Sequence, residues 1–394
     1  MRSKIKVLSY PIRRIDMRIP FNKPHLTGRE LGYIEESLKS GNIVGNCEWT
    51  KKCEKLMEEK FGAKKVLLTG SCTDAMEMAS LLADLEPDDE VIVPSFTFVS
   101  TANAFILRGA RPVFVDIRED TLNIDEKKIE EKITEKTKAI FPIHYAGVSC
   151  EMDIIMDIAK RHNLCVMEDS AQGVNATYKG KYLGAIGHLG AYSFHGTKNY
   201  TCGEGGALII NDERFIERAE ILREKGTNRS KFIRGEIDKY TWVDVGSSFL
   251  LSDVSAAFLY AQLENLEEIN EKRKAIFDFY YENLKELEDS GVFRLPIIPK
   301  ECKTNYHIFY ILLPSNKMRN SLMDQLKAEG IQATFHYVPL HDSPMGMKFG
   351  YKDGDLPITE SVSSCILRLP FYADLGSIEI KFIVEKVKEI AIKF

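Results

Sequence analysis

The sequence predicts an α/β fold: a large domain with a mostly parallel central sheet, followed by a smaller C-terminal α/β domain. From about residue 64, short apolar runs rich in β-branched residues recur, and helical patterns separate them. These runs do not alternate between apolar and polar residues, which is typical of strands that a parallel sheet buries on both faces. After a long helical pattern over residues 252–287 the order of elements changes. We therefore expect an extension over residues 1–18, a large domain over 19–265 and a small domain over 266–394.

Each element follows from its local sequence. Apolar runs bounded by turn residues predict strands at residues 66–69, 91–94, 112–116, 139–143, 164–169, 190–194 and 207–210. Segments filled with helix-forming residues predict helices at 73–83, 100–108, 125–134 and 152–161. In the C-terminal part the same criteria predict a strand at 302–313, a helix at 321–330, a strand at 332–338 and a closing helix from about 378.

Composition and charge limit the possible partners. The 394 residues are 44% hydrophobic and 28% charged, which is ordinary for a soluble globular protein. A net charge of −5 gives no reason to expect nucleic acid or an anionic membrane as partner, and the chain has no apolar run long enough for a transmembrane helix. The eight cysteines form no CxxC pair and no zinc-site spacing. We expect a cytoplasmic protein without disulfides or a bound metal.

Lys198 and Asp169 are the candidate catalytic pair. Asp169 ends an apolar run, at the edge of a parallel sheet where ligands bind, although a helix cap or a surface turn is the alternative. Lys198 follows in a loop of small polar residues. In pyridoxal phosphate enzymes a lysine holds the cofactor aldehyde as a Schiff base, and a carboxylate keeps the pyridine nitrogen protonated. Desolvation would lower the pKa of Lys198 and leave a free amine for proton transfer.

A turn at residues 70–73 is the candidate phosphate site. It joins a predicted strand to a predicted helix, where backbone N–H groups and the helix dipole favour an anion. Ser193, five residues before the lysine, could also reach the phosphate. A simple helix cap by Ser71 or Thr73 is the alternative. Asp74 would repel a phosphate, so we expect its side chain to face away.

Two further residues could contact the cofactor ring. Gln172 lies three residues after Asp169 and could bond the phenolic oxygen, and Phe98 could lie against the ring face or only pack in the core. The glycine-rich segment 203–206 precedes a predicted strand. A dinucleotide loop follows a strand and opens a helix, so this segment does not predict a Rossmann site.

The motifs fall in residues 19–22, 71–75, 93–103, 142–147, 168–172, 193–198 and 203–206. Together they resemble the sugar aminotransferases of the DegT/DnrJ/EryC1/StrS family, a branch of the fold-type I pyridoxal-phosphate enzymes. They follow the family's order, and the resemblance extends from about residue 19 to the end of the chain. It implies the fold-type I fold, pyridoxal 5'-phosphate as cofactor, and a homodimer in which the partner subunit completes each active site.

The resemblance also implies individual roles. It implies that Lys198 forms the Schiff base and that Asp169 binds the pyridine nitrogen. It also implies that Gln172 bonds the phenolic oxygen and that Phe98 stacks on the ring. Cys72, Thr73 and Ser193 fall at its phosphate-binding positions. Many members carry Gly-x-Asn-x-Arg before the long helix, and the Asn reaches the neighbouring subunit's phosphate. This chain departs from that pattern and has Ser248 there, which implies a shorter version of the contact.

A narrower likeness concerns the substrate. Residues 224–229, 239–242 and 335–341 resemble enzymes that transfer the amino group of L-glutamate to C4 of dTDP-4-keto-6-deoxyglucose for cell-surface polysaccharides. The loop over 225–239 concentrates basic residues, Arg229 and Lys239 among them, that could bind the diphosphate of a dTDP-keto-sugar. His336 and Tyr337 could line the sugar pocket. The alternatives are a solvated charged loop and a structural His–Tyr pair.

Three other functions stay open beside this one. A related enzyme could aminate another nucleotide keto-sugar, at C3 or with the other stereochemistry at C4. The family's dehydratases replace the Schiff-base lysine with histidine, so Lys198 disfavours that reaction. A non-catalytic sensor that binds pyridoxal phosphate would need an appended DNA-binding module, and the N-terminal sequence shows no helix-turn-helix of that kind.

Overall fold

The computed structural model describes residues 18–394. Nearly all of the predicted extension over residues 1–18 therefore lies outside the described residues. The strands are β1 (Lys65–Thr69), β2 (Glu90–Pro94), β3 (Arg111–Val115), β4 (Thr137–Ile140), β5 (Cys165–Asp169), β6 (Thr177–Tyr178), β7 (Lys181–Tyr182), β8 (Leu189–Ser193), β9 (Gly206–Ile210), β10 (Cys302–Lys303), β11 (Tyr310–Leu312) and β12 (Ile366–Arg368).

Twelve α-helices are described, and they alternate with the strands only as far as β5, with no α-helix between β3 and β4. They are α1 (Glu30–Ser40), α2 (Glu48–Phe61), α3 (Cys72–Leu82), α4 (Val99–Ile106), α5 (Met152–His162), α6 (Ile216–Arg223), α7 (Arg229–Ile233), α8 (Asp253–Glu264), α9 (Leu266–Asp289), α10 (Asn316–Ala328), α11 (Pro357–Cys365) and α12 (Ser377–Ala391). Within the described chain, no helix combines the length and apolar character that crossing a membrane requires.

A seven-stranded sheet forms the centre of the molecule, in the order β1-β9-β8-β5-β4-β2-β3. The five strands from β8 to β3 run parallel, and β9 lies antiparallel to both β1 and β8. Parallel neighbours require a crossover connection, whereas antiparallel neighbours can be joined by a short loop such as the one between β8 and β9. The predicted α/β fold with a mostly parallel sheet is confirmed.

The sheet is buried on both faces, which explains the unbroken apolar runs. Successive residues of a strand point to opposite faces. In β1, Leu67 packs with Met76 and Phe105 in one core, whereas Val66 and Leu68 pack in another beneath α2 and α8. Because both faces are covered, every strand position favours an apolar side chain, and the polar residues concentrate where the strands end.

A separate core belongs to the C-terminal part of the chain. Helices α9, α10 and α12 pack there with the antiparallel pair β11 and β12, around residues such as Phe309. Ile19 is fully buried in this core, and its backbone N–H donates to Gly330 O at 2.9 Å. The first described residues thus pack with the C-terminal elements. The division of the chain at residues 265 and 266 stays a prediction.

Two predicted helices are different in the structure. Residues 125–134 form two short 3-10 turns rather than a helix, since Ile129 alone among them is a fully buried apolar residue and a helix needs a packed apolar face. The long helix predicted over 252–287 is two helices, α8 and α9. They are separated at Asn265, whose φ of −114° is not helical.

The two predicted C-terminal strands were also partly wrong. Residues 302–313 are regular only in β10 and β11, because Tyr306 adopts a positive φ of 52° between them. Residues 332–338 form no regular strand. Their sheet-like pairing is the bridge between Thr334 and Arg368. Both irregular segments border the candidate site, where their side chains line a cavity.

Candidate active site

A cavity of about 750 Å³ opens at the carboxyl ends of β2, β5 and β8. The sheet and the helices α3 and α4 form one wall, and the irregular C-terminal segments form the other. The predicted site residues that line it are Cys72, Thr73, Phe98, Asp169, Gln172, Ser193, Lys198, His336 and Tyr337. The structure thus brings the predicted cofactor residues together with two predicted sugar-binding residues.

Asp169 is buried at the end of β5, with 5% of its surface exposed. Its Oδ2 accepts a hydrogen bond from Thr101 Oγ1 at 2.7 Å, and its Oδ1 accepts from the backbone N–H of Ala171 at 3.0 Å. The Thr101 hydroxyl also lies 3.0 Å from the Thr97 hydroxyl. These contacts fix the orientation of the carboxylate, so that a cationic group can bind a charge already held in place.

Lys198 lies in the loop that follows β8. Its backbone N–H donates to His195 O at 2.9 Å, and the His195 ring bonds the Thr197 hydroxyl at 2.9 Å. Burial lowers the pKa of the Lys198 ammonium, the nearby Cys72 and Asp169 raise it, and the charge of Arg368 lowers it. The net effect is a lowered pKa. A lysine in this environment provides a free amine more readily than one in water does.

The turn at the start of α3 has the geometry of an anion site. Ser71 is the helix N-cap, since its Oγ accepts from the Asp74 backbone N–H at 3.0 Å. Cys72 and Thr73 line the cavity, whereas Asp74 does not, in agreement with its expected orientation. A Cβ on Gly206 of β9 would lie 2.3 Å from Ser71 C, so a residue without a side chain is required there. This close approach holds the helix N-terminus at the cavity.

Gln172 joins the two walls of the cavity. Its Oε1 accepts from the Ala146 backbone N–H at 2.7 Å, and its Nε2 donates to the Tyr337 hydroxyl at 2.7 Å. Tyr337 stacks on His336 with ring centroids 3.8 Å apart, and the His336 Nδ1 lies 2.7 Å from the Tyr145 hydroxyl. Burial lowers the pKa of His336 well below its usual value and raises the pKa of Tyr337, so both rings are neutral at pH 7.

His307 and Arg368 also line the cavity, although the sequence analysis did not single them out. His307 Nδ1 donates to Asn199 Oδ1 at 2.8 Å, and Asn199 Nδ2 donates to Asn305 O at 2.7 Å. The amide therefore leaves the His307 Nε2 as an unprotonated acceptor. Arg368 enters at the end of β12. A sequence signal existed only for Asn199, which directly follows Lys198; the others lie in segments that have no motif.

The remaining predicted residues do not line this cavity. Ser248 is exposed and forms a backbone bridge with Glu224. Arg229 Nη1 donates to Glu224 Oε2 at 2.8 Å, and Lys239 is exposed. Within the described chain, the basic loop is thus outside the site of its own subunit, and Arg229 is paired with a carboxylate. Their predicted roles remain predictions.

Comparison with known proteins identifies the family. A model of the DegT/DnrJ/EryC1/StrS aminotransferase family matches residues 24–388. The chain belongs to this family. The spore coat polysaccharide biosynthesis protein SpsC of Bacillus subtilis is 33% identical over 386 residues, which cover 94% of this chain and 97% of that protein. GDP-perosamine synthase of Escherichia coli O157:H7 is 32% identical over 375 residues, with coverages of 94% and 98%.

A solved structure of a sugar aminotransferase has the same fold as this chain. The protein Spr1654 of Streptococcus pneumoniae, in its PLP-form, superposes with a TM-score of 0.88 at 26% identity, and the match covers 96% of this chain and 99% of that one. Family and neighbours confirm the predicted class: the chain is a pyridoxal-phosphate-dependent sugar aminotransferase. The residues present fit that cofactor, because the cavity offers an anion site, a fixed carboxylate and a lysine of lowered pKa.

Proposed function

We propose that this aminotransferase transfers the amino group of L-glutamate to C4 of dTDP-4-keto-6-deoxyglucose. The products would be 2-oxoglutarate and dTDP-4-amino-4,6-dideoxygalactose, a precursor of cell-surface polysaccharide, made in the cytoplasm. The observation that carries the proposal is that Lys198 and Asp169 line the same cavity as His336 and Tyr337. The first pair suits amino transfer, and the second supplies polar and apolar surface for a sugar.

Pyridoxal phosphate, when bound, supplies an aldehyde that captures amines and a ring that accepts electrons. The start of α3 and Ser193 would hold its phosphate, Phe98 its ring face, and Gln172 Nε2 its phenolic oxygen. The Asp169 carboxylate would keep its pyridine nitrogen protonated. Lys198 Nζ would hold the cofactor covalently and, once displaced by a substrate amine, would carry the proton at the substrate carbon, for which its lowered pKa suits it.

Neutral aromatic side chains would shape the sugar pocket. The stacked His336 and Tyr337 present ring faces, and their polar atoms are already bonded to Tyr145 and Gln172. A hexose offers hydroxyl groups and an apolar face, and such a pocket would bind both without a buried charge. The relative GDP-perosamine synthase is named for a nucleotide sugar, which supports a substrate of this chemical class.

We further propose a homodimer in which the partner subunit completes each site. Phe98, Phe335 and Val338 line the cavity and are nevertheless 47% to 61% exposed, so apolar side chains surround its opening. Surfaces of this kind mark interfaces. In such a dimer Ser248 and the basic residues Arg229 and Lys239 would face the neighbouring subunit's cofactor phosphate and substrate diphosphate.

The test is to incubate the purified protein with pyridoxal phosphate, L-glutamate and dTDP-4-keto-6-deoxyglucose. We expect equal amounts of 2-oxoglutarate and amino sugar, with the axial C4 amine identified by small H3–H4 and H4–H5 couplings in the NMR spectrum. An amine at C3, an equatorial C4 amine, or turnover only with another nucleotide would contradict the substrate assignment. Binding of the cofactor without any turnover would favour the sensor alternative.

A further inference from the structure

His307 presents a fixed hydrogen-bond acceptor to the cavity. Its Nδ1–H donates to Asn199 Oδ1 at 2.8 Å, and that amide is oriented because its Nδ2 donates to Asn305 O at 2.7 Å. A neutral imidazole carries one N–H, so the free lone pair lies on Nε2. The His307 side chain lines the cavity and is 8% exposed, and Nε2 has no hydrogen-bond partner among residues 18–394. A ligand that displaces water from this point must therefore supply a donor.

The backbone around His307 is held in an unfavourable conformation. The preceding residue, Tyr306, has a φ of 52°, which is unusual for a bulky side chain. The buried Arg273 holds this turn, since its Nε donates to Tyr306 O at 2.9 Å and its Nη2 donates to His307 O. Such strain persists only where surrounding contacts enforce it, and it is concentrated at ligand sites. The placement of His307 is thus enforced by the fold and not by local preference.

The location of His307 indicates which donor it meets. Asn199, which orients the ring, directly follows Lys198 in the chain. Burial lowers the pKa of His307, and among the surrounding charges that of Lys198 lowers it most. The imidazole therefore lies near the lysine, where the substrate carbon would react.

The two proposed substrates differ in what they offer beside that carbon. In L-glutamate the carbon that bears the amine also bears a carboxylate and a methylene group, neither of which can donate a hydrogen bond. In a 4-keto-6-deoxyhexose, C4 lies between C5, which has no hydroxyl, and C3, which has one. The C3 hydroxyl is thus a donor directly beside the reacting carbon, and an unprotonated imidazole nitrogen suits it.

We propose that His307 Nε2 accepts a hydrogen bond from the sugar hydroxyl next to the carbon that is aminated. His307 would thereby select keto-sugars that keep this hydroxyl over their deoxy analogues. The inference rests on the proposed aminotransferase function and adds to it the contact that recognises the sugar ring. Asn199 and Arg273 would act as positioning residues, since they contact His307 and not the sugar.

Two unreactive ligands that differ only in the C3 hydroxyl test the proposal. Calorimetric titration of the holoenzyme should show that dTDP-3,6-dideoxyglucose binds roughly 10-fold more weakly than dTDP-6-deoxyglucose, as expected for one lost hydrogen bond. H307N should bind both ligands equally within about twofold, because asparagine can donate to Asn199 but has no atom at the Nε2 position. H307Q, whose amide oxygen can reach that position, should restore part of the difference, and it also serves if H307N folds poorly.

The matched control is H188N. His188 Nδ1 accepts from the Val166 N–H at 2.9 Å, and its side chain lies outside the cavity. This variant undergoes the same substitution as H307N, and it should discriminate between the two sugars as wild type does. A discrimination in H307N equal to that of wild type would overturn the proposal.

The glutamate half-reaction provides the second measurement. Holoenzyme is mixed with L-glutamate alone, and the change in cofactor absorbance is followed; H307N should slow it by less than about threefold. A larger slowing, with an unchanged difference between the two sugars, would overturn the proposal and assign His307 to Lys198. If the dTDP ligands do not bind but the same pair on UDP or GDP behaves as expected, the proposed nucleotide fails and the role of His307 stands.

Discussion

The two walls of the cavity are built differently. The wall that carries Asp169 and Lys198 consists of strand ends, a helix N-terminus and a short loop. The wall that carries His307 and His336 consists of irregular segments of the C-terminal part, held by side-chain hydrogen bonds rather than by sheet ladders. If the proposed roles hold, the first wall contains the groups that amino transfer requires with any substrate. The second wall would then contain groups whose use depends on the molecule that is aminated.

This difference separates reaction type from specificity. Asp169 ends β5 and is held by the Ala171 backbone N–H and by the hydroxyl of Thr101 in α4, so its geometry should tolerate change elsewhere in the chain. His307 and His336 of the second wall reach the cavity where the backbone leaves regular structure, as the positive φ of Tyr306 beside His307 shows. Substitutions in the first wall should therefore lower the rate with every substrate, whereas substitutions in the second should act on particular substrates.

The largest effect should come from Lys198→Ala. Loss of the amine that carries the proton removes a general acid–base group, and we expect kcat to fall roughly 10⁴-fold. Turnover is measured as 2-oxoglutarate formation, and cofactor content is measured in the same samples. The control is Lys160→Ala, an exposed lysine on α5 outside the cavity. Activity above a few per cent of wild type in the Lys198 variant would refute its role.

A smaller effect is expected for Asp169→Asn, which keeps the shape of the side chain and removes its charge. Because this group would stabilise charge on the cofactor ring, kcat should fall roughly 10²-fold or more in both half-reactions. Asp116→Asn is the matched control: this buried carboxylate accepts from the Thr359 N–H at 2.9 Å and hydroxyl at 2.8 Å but lies outside the cavity. It should lower thermal stability and leave kcat nearly unchanged. Equal kcat losses in both variants would contradict a specific role for Asp169.

The sequence predicted the first wall because its residues follow from periodic patterns. An apolar run that ends in Asp169, and a strand-to-helix turn at 70–73, are local signals whose spatial meeting follows from the parallel sheet. In that turn Ser71 caps the helix, and Cys72 and Thr73 line the cavity, while the phosphate-binding role stays a prediction.

The second wall was predictable only in part. His336 and Tyr337 came from likeness to known enzymes, while His307 and Arg368 were missed. His307, His336 and Tyr337 reach the cavity where the strands predicted over 302–313 and 332–338 break down, whereas Arg368 enters from the end of β12. Such breaks depend on tertiary hydrogen bonds, for example from Asn305 Nδ2 to Gln172 O at 2.8 Å. Local sequence patterns cannot reveal a hydrogen-bond partner that lies so far away along the chain.

Tyr337→Phe tests whether the second wall serves the sugar alone. The change removes the hydroxyl that accepts from Gln172 but keeps the ring that stacks on His336. Losing one neutral hydrogen bond should raise KM for the keto-sugar roughly 3- to 10-fold and leave the glutamate half-reaction nearly unchanged. Tyr351→Phe removes a hydroxyl bonded to the Phe114 N–H outside the cavity, and serves as the control. An equal slowing of both half-reactions would show that Tyr337 belongs functionally with the first wall.

The smallest effect concerns stability, and it also distinguishes the walls. Burial lowers the pKa of both His307 and His336 well below its usual value, whereas in the unfolded chain it is about 6.5. Below that pH the unfolded state binds more protons, so stability falls as the pH decreases, by at most about 1.4 kcal/mol per pH unit for each histidine.

The His307→Asn variant tests this, because its asparagine has no proton to bind. Its free energy of unfolding should fall less between about pH 6.5 and 5.5 than that of wild type. Urea titrations at the two pH values measure both slopes, and their difference isolates His307 from every other titrating group. Equal slopes would mean that His307 takes up protons alike in the folded and unfolded states, which would contradict the pKa lowered by its burial.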